Sequence, residues 1–230
     1  MNFSKLFSNG EYIASLCLLT LCLVLLPSIM RQIVTGRVKH YLKVFPIYIL
    51  MISVQLALSM YSECGSTKVK YSRDSLSNIS AFFFVTLESL VFSFYFYSII
   101  HHRATRQCLI LFMVIISVLS PLLWYSNLRY IDIISTLTVL EASVLIPVSM
   151  YSVYRLALKP GSFSLQSEVE FWVSIAILEL LMMLAPIYCL LELFRYQPGV
   201  QILDHLAYMV CVVLLTKSFN TKPTLIWPRL

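Results

Sequence analysis

The chain has 230 residues, 59% of them hydrophobic and 12% charged, with a mean hydropathy of +0.83 and a net charge of +6. A soluble domain carries roughly 25% charged residues, so about half the expected charge is missing, and what remains breaks up long apolar runs. Five glycines and the lack of an alternating apolar–polar pattern argue against a β-barrel, and basic residues beside apolar runs speak for membrane orientation over nucleic-acid binding.

A run of about 20 apolar residues crosses a hydrocarbon core of roughly 30 Å, and its backbone must be helical there. The predicted spans are about 12–34, 41–62, 78–100, 108–125, 131–154, 169–194 and 201–219. Together they make one all-α, polytopic transmembrane bundle of seven helices over residues 1–230. The first span follows Lys5 and imitates a signal peptide. It is longer than a typical h-region, lacks a small-x-small cleavage site and precedes Arg31, Arg37, Lys39 and Lys43, a stop-transfer pattern, so it is expected to be retained. The longest breaks are 63–77 and 155–168. Trp124, Tyr125 and Tyr130 bracket the tight turn between the fourth and fifth spans, at headgroup level. Pro27, Pro46, Pro121, Pro147 and Pro186 lie within spans, where neighbouring helices tolerate kinks. No internal repeat of the transporter kind is evident. Five of the six cysteines (Cys17, Cys22, Cys108, Cys189, Cys211) fall in or beside spans, Cys64 lies in a loop, and no CxxC pair occurs. They read as small buried residues, not as a metal site or redox pair.

Orientation follows from the basic residues. One side receives Arg31, Arg37, Lys39, Lys43, Arg103, Arg106, Arg155, Lys159, Lys217, Lys222 and Arg229, eleven in all, and the other receives six. The richer side is expected to be cytoplasmic, which puts the N-terminus outside and the C-terminus inside.

Charged side chains at mid-membrane depth are costly, by about 2.5–3.5 kcal/mol on insertion scales. Three occur, Glu88, Glu141 and Glu179, each about ten residues or roughly 15 Å into its predicted helix. Thr138 and Glu141 share one helical face, and Glu88 shares its face with Phe84, Phe92 and Tyr95. No Lys or Arg lies at that depth. The functional reading is a polar pocket, with Glu88, Glu141, Glu179, Thr138 and Tyr95 as candidates to bind a cation, a proton or a polar ligand. The structural alternative is protonated carboxyls that join helices by hydrogen bonds. Nearer the outer surface, Asp132, Glu192, Asp204 and Tyr208 are candidates to rim an opening, with Asp204 and Tyr208 one turn apart. Asp204 and the adjacent His205 point in different directions on a helix, so interfacial solvation fits them better than a shared metal. No HExxH, GxSxG or glycine-rich phosphate loop occurs, and Lys217 sits too near the end of its span to hold a retinal. No metal or other cofactor is implied.

Several short elements carry a resemblance. Pro46-Ile47-Tyr48 opens the second span, Asn78 precedes a third reading TLESLVFSFYFY, Glu141 lies in the fifth, and Phe171-Trp172 opens the sixth. In these the chain resembles a group of uncharacterised seven-helix inner-membrane proteins of Bacteroidota-type bacteria. The resemblance implies the fold and a bacterial inner-membrane location and brings no catalytic residues.

Three functions are compatible with this reading. The first is a membrane sensor or accessory subunit that signals through a separate membrane or cytoplasmic protein or a homo-oligomer, because about eleven residues follow the last span. The second is a small proton- or cation-coupled transporter. The third is an intramembrane carboxylate enzyme, ranked last because no nucleophile, metal set or substrate motif accompanies the acids. The balance is against an enzyme.

Overall fold

The computed structural model describes residues 10–34, 39–63, 76–126, 128–158, 168–191 and 198–220. They form α1 (Gly10–Val34), a 3-10 turn (His40–Lys43) leading into α2 (Val44–Glu63), α3 (Leu76–Ile99), α4 (Arg103–Tyr125), α5 (Tyr130–Ala157), α6 (Val169–Leu191) and α7 (Pro198–Asn220). All seven helices are long and apolar enough to cross a bilayer, and the chain is an integral membrane protein. Each apolar run closes its own backbone hydrogen bonds as a helix, the condition lipid imposes. The helix continues past Pro27, Pro121, Pro147 and Pro186.

One boundary moves. Helix α4 begins at Arg103, before the expected start at 108, because helical hydrogen bonding runs on into a polar turn that hydropathy does not register. The His102 carbonyl accepts from the Arg106 N–H at 3.1 Å, and the Arg106 guanidinium lies 4.2 Å from the centroid of the Tyr97 ring. That stacking covers the apolar stem of Arg106 while its charge stays at the helix end.

Six helices close a ring, in the order α1, α2, α3, α5, α6, α7 and back to α1. Helix α4 stands outside it, against α3 and α5. Its buried residues Leu109, Phe112, Ile116 and Ser120 make one narrow stripe at helical spacing. Three contacts hold it to α3: Phe82 against Trp124 (ring centroids 4.7 Å apart), the Thr86 hydroxyl donating to the Ser120 hydroxyl at 3.1 Å, and Tyr97 under Arg106. Their order shows the two helices antiparallel. Helix α5 then runs the same way as α3, which makes α4 the return crossing between two parallel neighbours.

Leu, Ile, Val and Phe side chains cover the outside of the bundle, as lipid contact requires, while the interior is mixed. An aromatic cluster of Phe45, Tyr48, Phe92, Tyr95 and Phe96 fills the space between α2 and α3. Beside it, Ser89 and Ser93 of α3, Thr138, Glu141, Ser149 and Ser152 of α5, and Ser174 of α6 are all buried. Small hydroxyl residues of this kind let membrane helices approach closely.

Candidate functional site

The starts of α1, α3, α5 and α7 define one end of the bundle, called the upper end below. A cavity of about 270 Å³ lies there, inside the ring. Its polar lining includes Gln55 of α2, Tyr130 of α5, Tyr188 of α6, and Asp204, His205 and Tyr208 of α7. Leu18, Ile52, Leu56, Phe84, Val85 and Ile134 supply apolar walls, and among the described residues neither Lys nor Arg lines it. Largely apolar walls with a few convergent polar groups are what small-molecule sites present.

Tyr208 joins this cavity to the deeper carboxylates. Its hydroxyl donates to Glu88 Oε2 at 3.0 Å, and the Tyr48 hydroxyl donates to Glu88 Oε1 at 2.6 Å. Helices α2, α3 and α7 therefore meet at one carboxyl, which is only 2% exposed. The Tyr48 ring is fixed between Phe84 (centroids 6.1 Å apart) and Phe92 (5.0 Å), so its hydroxyl has little freedom to leave. Glu141, 1% exposed, comes in from α5 within reach of the Ser89 hydroxyl and close enough to Glu88 to act on it electrostatically. Its Oε1 has no partner among the described residues.

No hydrogen bond joins any two of the three mid-span glutamates directly, and they differ in burial. Glu88 and Glu141 face each other across α3 and α5. Glu179 lies half-buried on α6, near Cys211 of α7, which also lies near Glu88; among the described residues its Oε2 has no partner, and no hydrogen bond joins it to the other two. Depth was readable from the spans, but rotation about each helix axis decides which side chains meet. Thr138 is buried on the same face of α5 as Glu141. Tyr95 points toward the opposite, lower end, where its hydroxyl donates to the Glu170 carbonyl at 3.2 Å.

Of the rim candidates, Asp204 and Tyr208 line the cavity. Asp132 is instead held by Arg129 in a two-pronged ion pair, with both N–O distances 2.9 Å, at the start of its own helix. Glu192 lies outside the described residues. His205 Nε2 sits 2.9 Å from the Ser15 hydroxyl, so the histidine ties α7 to α1 while Asp204 turns toward Tyr130 and Tyr188. Among the described residues no group of three or more His, Cys, Asp or Glu is placed to share a metal.

Two acceptors in the cavity wall, Gln55 Oε1 and Asp204 Oδ1, are buried without a donor among the described residues. Buried polar atoms are nearly always paired, so these oxygens favour an occupant that brings N–H or O–H groups. Sequence reading passed over Gln55 and Tyr188, and it gave Tyr48 only as part of a resemblance and Tyr130 only as a residue at the headgroup-level turn. Each sits in an apolar run where a polar-tipped side chain is commonplace, and only the packing of distant helices gives it a role. At the lower end a second cavity, of about 750 Å³, is lined by Lys39, Tyr41, His101, Arg155, Glu168 and Glu170 among others. Glu170 accepts there from both Lys39 and Tyr41. Comparison of the chain with protein-family models, curated proteins and solved structures finds no match in any of the three.

Proposed function

We propose that the protein is an integral-membrane sensor module that binds a small organic cation, of the amine class, in the upper cavity and passes the event to a partner protein. The observation that carries this reading is the Tyr208 hydroxyl, which lines the cavity and donates to Glu88 in the same geometry. An ammonium ligand would satisfy Gln55 Oε1 and Asp204 Oδ1, lie among the aromatic rings of Phe84, Tyr130, Tyr188 and Tyr208, and meet no lysine or arginine among the described residues. Occupancy would draw on Tyr208 and so bias the Tyr48–Glu88–Tyr208 bridge between α2, α3 and α7. A ligand shifts an equilibrium only by its differential affinity for two arrangements, and this bridge is the element that can have two.

The lysine and arginine distribution supports a placement with the N-terminus outside, which turns the cavity outward. The sequence resemblance supports the bacterial inner membrane as the location. The test is equilibrium binding to purified protein in nanodiscs, using a panel of primary amines and tetraalkylammonium ions against neutral isosteres of equal size. Saturable binding of a cation, lost in Asp204→Asn and weakened in Tyr208→Phe, is the expected result. Equal binding of charged and neutral members, or none, overturns the reading.

A further inference from the structure

Below Glu88 the polar interior does not stop. Ser89 reaches Glu141. Ser93 lies one turn further down α3, and Ser149 and Ser152 lie two and three turns below Glu141 on α5, all fully or almost fully buried. The Ser152 and Ser174 hydroxyls are 3.0 Å apart. Ser174 is within reach of the Tyr95 hydroxyl, which donates to the Glu170 carbonyl at 3.2 Å. Ser152 and Glu170 line the lower cavity. Hydroxyls and carboxyls therefore recur inside the ring at levels between one cavity and the other.

Between the cavities lie three buried oxygens without partners among the described residues, Glu141 Oε1, Ser93 Oγ and Ser149 Oγ. One helical turn is a rise of about 5.4 Å, close to twice a hydroxyl hydrogen bond of roughly 2.8 Å, so one water is enough to span members a turn apart, as Ser89 and Ser93 or Ser149 and Ser152 are. Buried water in proteins sits against polar groups of this kind, and chains of intramembrane acids and hydroxyls are the means by which membrane proteins carry protons.

We infer that the bundle conducts protons between the two cavities, through Tyr208, Glu88, Glu141 and the serine column, down a transmembrane proton gradient. At each hydroxyl or water one O–H bond forms as another breaks. At each carboxyl a proton arrives on one oxygen and leaves from the other, and no electrons are transferred. The titratable groups that face Glu88 are Tyr48 from α2, Glu141 from α5, Tyr188 from α6, and Asp204, Tyr208 and Cys211 from α7. No cationic group stands among them to repel a proton. The path shares the upper cavity with the proposed sensor but requires no amine.

The experiment is proton flux into liposomes loaded with a pH-sensitive dye and carrying the full chain, driven by a potassium diffusion potential. Flux above that of empty vesicles is expected, and it should fall to the empty-vesicle level in Glu141→Gln and Ser149→Val. Ser149→Thr has the shape of the valine variant but keeps the hydroxyl, so it should conduct. Parent flux no greater than that of empty vesicles overturns the path, as does a threonine variant as silent as the valine one. Amine binding without flux would overturn the path and leave the sensor standing; flux without amine binding would do the reverse.

Discussion

Glu88 accepts from two phenols, Tyr48 of α2 and Tyr208 of α7. Tyr48→Phe keeps the ring between Phe84 and Phe92 and deletes only the donor to Oε1. Interhelical hydrogen bonds in membrane proteins average about 0.6 kcal/mol, but leaving a buried acceptor unpaired adds to the loss. Tyr48→Phe should therefore lower stability by about 1 kcal/mol, measured by reversible unfolding in mixed micelles. A variant as stable as the parent would show that the bond contributes nothing. The sequence displayed Glu88 and Glu141 because carboxyls are rare in apolar runs. It could not display Tyr48, which is one of 14 tyrosines in the chain and lies 40 positions from the glutamate it serves. Asp132 misleads for the opposite reason: a charge at a helix start looks like part of a rim until its local partner, Arg129, is seen to occupy it.

At the level of helices, hydropathy reads the spans well because lipid allows one backbone solution per apolar run. The arrangement of those helices is less legible, since the outer faces and the inner faces are both largely apolar and no amphipathic stripe announces the core. That is why the depth of Glu179 alone did not say whether it would meet Glu88 and Glu141; α4, by contrast, is the most one-sided of the described helices, and it is the one that stands outside the ring. Its attachment is correspondingly light. Removing the Thr86–Ser120 bond in Thr86→Val should cost under about 1 kcal/mol. Trp124→Ala, which strips a large ring from Phe82, should cost more, toward the 3–5 kcal/mol of buried aromatic truncations at most. Unfolding measured on the two variants checks the order; the reverse order would show that the polar contact, not the aromatic one, seats α4.

For the molecule as a whole, the direction of insertion fixes what each cavity sees. Tyr61, 75% exposed at the upper end of α2, and Leu158, 62% exposed just beyond α5 at the lower end, lie on opposite sides of the bundle. In a cysteine-free background, Tyr61→Cys should react with a membrane-impermeant maleimide in intact cells, and Leu158→Cys only after permeabilisation. The inverse pattern would invert the topology and turn the upper cavity to the cytoplasm. Helix α7 spans between those ends, with Asp204 and Tyr208 near one and Lys217 near the other. The Lys217 ammonium sits 3.7 Å from the centroid of the Trp172 indole on α6. A cation over an indole perturbs its fluorescence, and Trp172 is one of only three tryptophans in the chain. The protein therefore carries an optical gauge at the foot of the helix whose head lines the upper cavity, and a tilt or slide of α7 can be followed as a change in light emission without attaching a label.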